Sequence, residues 1–196
     1  MNACIVGASG YSGRELLSLL ADHPNICLSA ITSRSLEGVS VEVALPKMRG
    51  KAKSLSFSSP TTDELVRRDD LDIFFLALPH GTAAEYARPL VGGGKRVIDL
   101  SADFRLSCPK RYEEFYGAPH PAPELLESAI YGLPELHELS WEASTLIASP
   151  GCYPTSILVP LAPLLEAGLV EREGIVINSS SGVSGAGRQA SEKLLY

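Results

Sequence analysis

Ala3-Cys4-Ile5-Val6-Gly7-Ala8-Ser9-Gly10-Tyr11-Ser12-Gly13, residues 3–13, is the stretch on which the reading of this chain turns. Four apolar residues run into three glycines spaced G-x-x-G-x-x-G, and the segment over 12–21 then carries Leu16, Leu17 and Leu20 at helical spacing. The order is strand, turn, helix. In that context glycines let the backbone turn tightly and approach a pyrophosphate, whose charge meets free N–H groups and the positive end of the helix dipole. Gly7, Ser9, Gly10, Tyr11, Ser12 and Gly13 are therefore candidate dinucleotide-binding residues. A glycine-rich turn that merely joins a strand to a helix is the plain alternative.

Outward from that turn the same alternation repeats. Strands are predicted over 26–32, 55–57, 73–78 and 96–100, the third of them a continuous apolar run of the kind buried on both faces of a parallel sheet. Helices are predicted over 61–68 and 82–91, the latter ended by Gly92, Gly93 and Gly94. Such a pattern implies an α/β fold, a Rossmann-type doubly wound parallel sheet. Between 106 and 140 it fades into a Pro-, Glu- and Tyr-rich passage, and a strand resumes over 145–148. The domain boundary is placed near Pro150, giving a nucleotide-binding domain over 1–149 and the beginning of a second domain over 150–196. In the second, 154–167 has helical spacing interrupted by Pro160 and Pro163, which should kink it, and a strand over 175–178 runs into a Ser/Gly-rich loop over 179–188.

Two further features carry chemistry. The strand after the first helix ends in Thr32-Ser33-Arg34-Ser35, where an NAD site usually has an Asp or Glu that accepts from the ribose hydroxyl. An arginine between hydroxyls suits the 2′-phosphate of NADP, so Ser33, Arg34 and Ser35 join the cofactor candidates, against the alternative of a solvated loop arginine. The second feature is Pro150-Gly151-Cys152-Tyr153-Pro154-Thr155, in which Pro154 marks a helix start and Cys152 stands just before it. A thiol there feels the helix dipole and nearby backbone donors, which favours the thiolate nucleophile. Cys152 is expected to be the one fast-reacting cysteine, since Cys4 and Cys27 fall in strands and Cys108 in the weakly patterned passage.

The bulk properties narrow the field. The 196 residues carry a net charge of −6 with no block of Lys or Arg, so neither nucleic acid nor an acidic membrane surface is expected as a partner. Four cysteines and four histidines are scattered without a Cys-x-x-Cys pair, which argues against a metal site and a disulfide framework. The N-terminus enters the first strand with no basic region before it, and the apolar stretch over 157–165 is too short and proline-broken to span a bilayer. A cytoplasmic, reducing setting is the expectation.

Five motifs in order, Gly7-Ala8-Ser9-Gly10-Tyr11-Ser12-Gly13, Leu76-Ala77-Leu78-Pro79-His80-Gly81, Asp99-Leu100-Ser101-Ala102-Asp103-Phe104-Arg105, Tyr131-Gly132-Leu133-Pro134-Glu135 and the Cys152 segment, resemble the N-acetyl-gamma-glutamyl-phosphate reductases, part of the semialdehyde dehydrogenase family. The resemblance implies reduction of the acyl phosphate by NADPH to N-acetylglutamate semialdehyde with release of inorganic phosphate, in arginine biosynthesis. It implies that Cys152 is the nucleophile, and that Arg105 and Ser101 meet the substrate or its phosphate. Pro79 and His80 would line the cofactor cleft, and Ser181 and Gly182 would fold near the nicotinamide. Asp103 would be structural, orienting Arg105. It further implies that an α+β catalytic and dimerisation domain, with a histidine acid/base and a homo-oligomer contact, continues past Tyr196. A reductase of another acyl phosphate, aspartyl or carrier-bound aminoadipyl, shares most of these features, as does a non-catalytic NADP-binding sensor. Catalytic short-chain dehydrogenases need Tyr-x-x-x-Lys, and no tyrosine here has a lysine four residues on.

Overall fold

Side-chain alternation builds the core. The computed structural model describes residues 1–52, 54–136 and 144–187. Along β1 (Asn2–Val6), Ala3 and Ile5 face one side while Cys4 and Val6 face the other, and in β4 (Ile73–Leu76) Ile73 and Phe75 oppose Phe74 and Leu76. Each set joins a separate apolar cluster, so the sheet is covered on both faces, as the apolar runs require. Leu17, from α1 (Tyr11–Leu20), is fully buried in one cluster, and cutting it to alanine should cost about 2–5 kcal/mol.

Seven parallel strands form one sheet in the order β3-β2-β1-β4-β5-β7-β6, with β2 at Cys27–Thr32, β3 at Phe57–Ser58, β5 at Arg96–Asp99, β6 at Ile130–Tyr131 and β7 at Leu146–Ala148. The order reverses about β1, whose neighbours are β2 and β4. Ligands of such sheets bind outside the carboxyl ends of the strands at that switch point. Helices α2 (Val41–Ala44), α3 (Thr62–Val66), α4 (Thr82–Gly92) and α5 (Pro109–Tyr116) lie in the connections, and α6 (Cys152–Glu166) follows β7. A capping box starts α3: Thr61 Oγ1 accepts from the Glu64 amide, and the Glu64 carboxylate accepts from the Thr61 amide.

Several elements differ from the sequence reading. The passage over 106–140 holds α5 and β6, which periodicity missed because only Tyr112 of α5 is buried. The signals were a proline at the first turn of α5 and Gly117 in the left-handed region after it. Helix α6 continues through Pro160 and Pro163; it is nowhere fully buried, so the carbonyls those prolines leave free can turn to water. No strand forms over 175–178: Ile175, Val176 and Ile177 are exposed, and nothing pairs with them among the described residues. Apolar residues alone do not make a strand without a ladder partner. Among the described residues no helix is long and apolar enough to cross a membrane, and no cluster of His, Cys, Asp and Glu could hold a metal.

Candidate active site

The loops that leave the carboxyl ends of β2, β1, β4, β5 and β7 stand in a row, because those strands are consecutive neighbours. At the β1 end, Gly7 has φ +88°, and a Cβ on it would lie 2.4 Å from the Ala77 carbonyl. One on Gly13 would lie 2.4 Å from the Gly7 carbonyl, so turn and helix touch backbone to backbone. Gly10 meets only the Gly7 carbonyl, at 3.5 Å, and leaves open space above the turn. No side chain caps α1, no acid sits in its first turn, and its first helical bond runs from the Arg14 amide to the Gly10 carbonyl. The Gly7, Ala8 and Gly10 amides are taken up by Thr32 and by the turn itself, which leaves the first-turn amides of Tyr11 and Ser12, ahead of that bond, as the candidate anion donors.

Across that turn the β2 end is held by hydroxyls. Thr32 Oγ1 accepts from the Gly7 amide at 3.2 Å, and Ser33 Oγ donates to Ser9 Oγ at 2.8 Å and lies 3.3 Å from Ser35 Oγ. Arg34 is exposed beside them. Gly7, Ser9, Gly10, Ser33, Arg34, Ser35 and Pro79 thus line one cleft of about 360 Å³. Tyr11 falls outside it, in a separate groove with Arg14 and Lys47. Ser181 and Gly182 reach neither this cleft nor that of Cys152; they are exposed, and the Ser181 hydroxyl donates to the Gly182 carbonyl. Tyr86 of α4 lines the cofactor cleft and was missed; the clue is a tyrosine set among Ala83, Ala84 and Ala87 at the start of a helix that follows a strand-end loop.

A second cleft, about 530 Å³, has Cys152 and Gly151 on one wall with Arg105, Tyr116 and Tyr131 among the others. Cys152 is exposed at the first position of α6, whose N-cap Gly151 has no side-chain cap. Arg105 donates from Nε to the Ser149 carbonyl at 2.8 Å and from Nη2 to the Leu100 carbonyl at 2.9 Å. Its Nη1 faces Gly151, where a Cβ would come within 3.1 Å of it. Ser101 is buried, with its hydroxyl donating to Asp99 at 2.7 Å and accepting from the Asp103 amide at 3.1 Å. It is committed to the turn rather than aimed at the cleft.

No hydrogen bond or ion pair joins the Asp103 carboxylate to Arg105. Its buried carboxylate accepts from the Gly81 amide at 2.7 Å, the Ala84 amide at 2.8 Å and the Tyr112 hydroxyl at 2.9 Å. Burial and this carboxylate together keep the Tyr112 hydroxyl protonated. Asp99, fully buried at the β5 end, has its carboxyl pushed up to about 6 by desolvation, against the opposing pull of its Ser101 hydrogen bonds. Cys4, inside β1, is pushed up to about 12 by burial. Cys108 is a second candidate for a reactive thiol: it is exposed at the N-cap of α5, and the Arg111 and Lys110 amides hold its pKa below the ordinary thiol value.

Residues 2–143 match the family model described as semialdehyde dehydrogenase, NAD binding domain, and residues 152–196 match semialdehyde dehydrogenase, dimerisation domain. The chain belongs to the semialdehyde dehydrogenase family. Curated relatives named N-acetyl-gamma-glutamyl-phosphate reductase include those of Akkermansia muciniphila, 49% identical over all of this chain and 56% of the relative, and Ectopseudomonas mendocina, 48% identical over 98% of this chain and 55% of the relative. The chain therefore spans about half the length of the curated relatives it matches. Among solved structures, aspartate semialdehyde dehydrogenase II of Vibrio cholerae superposes with a TM-score of 0.62 at 18% identity, covering 95% of this chain and 48% of that one. Aspartate semialdehyde dehydrogenase with NADP from Candida albicans gives 0.54 at 17%, covering 85% and 47%. At these identities the likeness is one of fold, and it matches the seven-stranded parallel semialdehyde dehydrogenase sheet described above.

Proposed function

We propose that the whole protein reduces N-acetyl-gamma-glutamyl phosphate with NADPH to N-acetylglutamate semialdehyde and inorganic phosphate, through a thioester on Cys152. One observation carries the reading: an exposed cysteine at an uncapped helix start shares a cleft with an arginine, on the sheet edge that also bears the dinucleotide turn. Relatives bearing that reductase name align over nearly the whole chain.

The residues divide the work. The first-turn amides and dipole of α1, which the glycine turn lets a ligand approach, would hold the pyrophosphate, while Ser33, Arg34 and Ser35 would hold the 2′-phosphate of NADP. The Cys152 thiolate attacks the acyl carbonyl, the carbon–oxygen bond to phosphate breaks, and the phosphate departs as hydrogen phosphate with one proton taken from solvent, its charge met by Arg105 Nη1 and the amides at the start of α6. NADPH, when bound, supplies the hydride that reduces the resulting thioester. The hydride leaves a thiohemiacetal oxyanion on Cys152, which reforms the carbonyl, breaks the carbon–sulfur bond and returns the Cys152 thiolate. The protein's part is to bring sulfur, carbonyl and cofactor to one place.

The same reading places the domain boundary near Pro150. Leu158, Leu164, Leu169 and Val176, exposed on the second segment, suit burial within a completed dimerisation domain of a homo-oligomer. Four free cysteines suit a reducing, cytoplasmic setting. The test is a steady-state assay of the full-length polypeptide in the reverse direction. N-acetylglutamate semialdehyde should reduce NADP only when phosphate is added, and faster than aspartate semialdehyde does; the opposite preference would move the assignment to another acyl phosphate.

A further inference from the structure

Helix α4 leaves its own cap position to a glycine. Gly81 stands there with φ +80° and no side chain, although a Ser, Thr or Asp at the N-cap is the usual local solution. The missing acceptor comes from a different strand-end loop: Asp103, between β5 and α5, accepts from Gly81 at 2.7 Å and from Ala84 at 2.8 Å. A third bond comes from Tyr112 at 2.9 Å, and the ring of Tyr112 packs 4.7 Å from that of Tyr116, which lines the Cys152 cleft and packs on His80 at 5.4 Å. The Asp103 carbonyl accepts from Nε2 of the buried His120, whose Nδ1 takes the Ala122 amide, so the residue is fixed from both ends. Within the same loop, Arg105 grips Ser149 beside the cysteine segment.

We propose that Asp103 is a positioning residue for reduction at Cys152: its carboxylate locks the cofactor-side loop after β4 to the loop that holds the cysteine cleft. The inference rests on the proposed NADPH-dependent reaction. A local cap at residue 81 would stabilise α4 equally well and leave the two loops free to shift against each other. Capping across loops makes the Pro79 edge of the cofactor cleft and the Tyr116 wall of the cysteine cleft one rigid unit. The distance between cofactor and thioester is then set by hydrogen bonds rather than by loop flexibility. A misplacement on the order of 1 Å costs about a hundredfold in rate.

The variants are Asp103→Asn, whose amide cannot accept all three donors, and Tyr112→Phe, which removes one donor and leaves the two backbone bonds. Both are made in the full-length enzyme. In Asp103→Asn, kcat should fall about a hundredfold, with NADPH dissociation weakened no more than about tenfold. NADPH deuterated at the transferred position should give a full primary isotope effect, because hydride transfer becomes limiting. Without cofactor, hydrogen exchange over 79–84 should quicken while α1 exchanges as before. Tyr112→Phe should show the same signs more weakly, and it decides the matter if Asp103→Asn does not fold. A lowered melting temperature with kcat and isotope effect unchanged would make Asp103 a structural cap only and overturn the proposal. The rate ratios are taken with whichever acyl phosphate the wild type reduces, so an error in the substrate shows in the wild-type rates and an error about Asp103 in the ratios.

Discussion

Arg105 donates from Nε to the main-chain carbonyl of Ser149 at 2.8 Å, so a side chain from the loop after β5 holds the backbone that leads into Cys152. With Nη2 on the Leu100 carbonyl, only Nη1 is turned toward the cleft. Arg105→Ala should therefore do two things: raise the KM for phosphate in the reverse direction, and lower kcat by loosening the cysteine loop. Arg105→Lys, a point charge without the fork, should restore part of the phosphate effect and little of the kcat. Steady-state kinetics with varied phosphate separate the two; an unchanged phosphate KM in Arg105→Ala would hand the anion to another group.

Cofactor choice follows from the hydroxyl cluster at the β2 end. Ser9, Ser33 and Ser35 are already linked by hydrogen bonds, with Arg34 exposed beside them and no acid in the cleft. A charge-assisted bond is worth about 1.5–3 kcal/mol, so Arg34→Ala should weaken NADPH about ten- to a hundredfold and hardly change NADH. Fluorescence titration with both cofactors checks this, and equal wild-type affinities would contradict it.

Alkylation with limiting iodoacetamide near neutral pH should label Cys152 and Cys108, both exposed at helix starts, and spare the buried Cys4. Only the Cys152 label should be blocked by prior incubation with the acyl phosphate. Peptide mapping reads the sites; labelling of Cys108 that acyl phosphate also suppresses would mean the clefts have been misassigned.

Asp99 gives a pH signature. Its folded pKa, about 6, lies above the ordinary aspartate value because burial disfavours the charge. For an acid raised on folding, the native state holds the proton more tightly, so its stabilising contribution is full below about pH 3.9 and is lost as pH rises through about 6. Asp99→Asn keeps contacts to Ser101, with Oδ1 accepting from the amide and Nδ2 donating to the hydroxyl, but does not titrate. Between pH 4 and 7 the wild type should lose on the order of 2–3 kcal/mol relative to that variant, measured by denaturant melts. A constant difference across the range would rule the assignment out.

The sequence made the sheet legible where its signals were local. Glycines at 7, 10 and 13 after an apolar run, and leucines at 16, 17 and 20, announce β1, its turn and α1 within one window, and the Cys152 helix start is announced by Pro154. What stayed hidden depends on long-range bonds. Nothing near Asp103 reveals that it caps a helix at Gly81 and Ala84, and Ser101 reads as a phosphate ligand until its hydroxyl is found between Asp99 and the Asp103 amide. Helix α5 escaped because it is only two turns long: its apolar face is the three aromatics Tyr112, Phe115 and Tyr116, too few to set a period against the Pro- and Glu-rich passage around them. Residues 175–178 have strand composition without a strand, since pairing is a property of neighbours rather than of the segment.

The thioester on Cys152 is the central claim, and trapping it is the most direct test. Full-length enzyme is mixed with N-acetyl-gamma-glutamyl phosphate without NADPH, quenched in acid, and examined by intact and peptide mass spectrometry. One N-acetylglutamyl group should appear on the Cys152 peptide, together with one equivalent of released phosphate, and hydroxylamine should remove it. Cys152→Ser should fold, bind NADPH and carry no adduct. Turnover by Cys152→Ser, or an acyl group found on any other residue, would contradict the account.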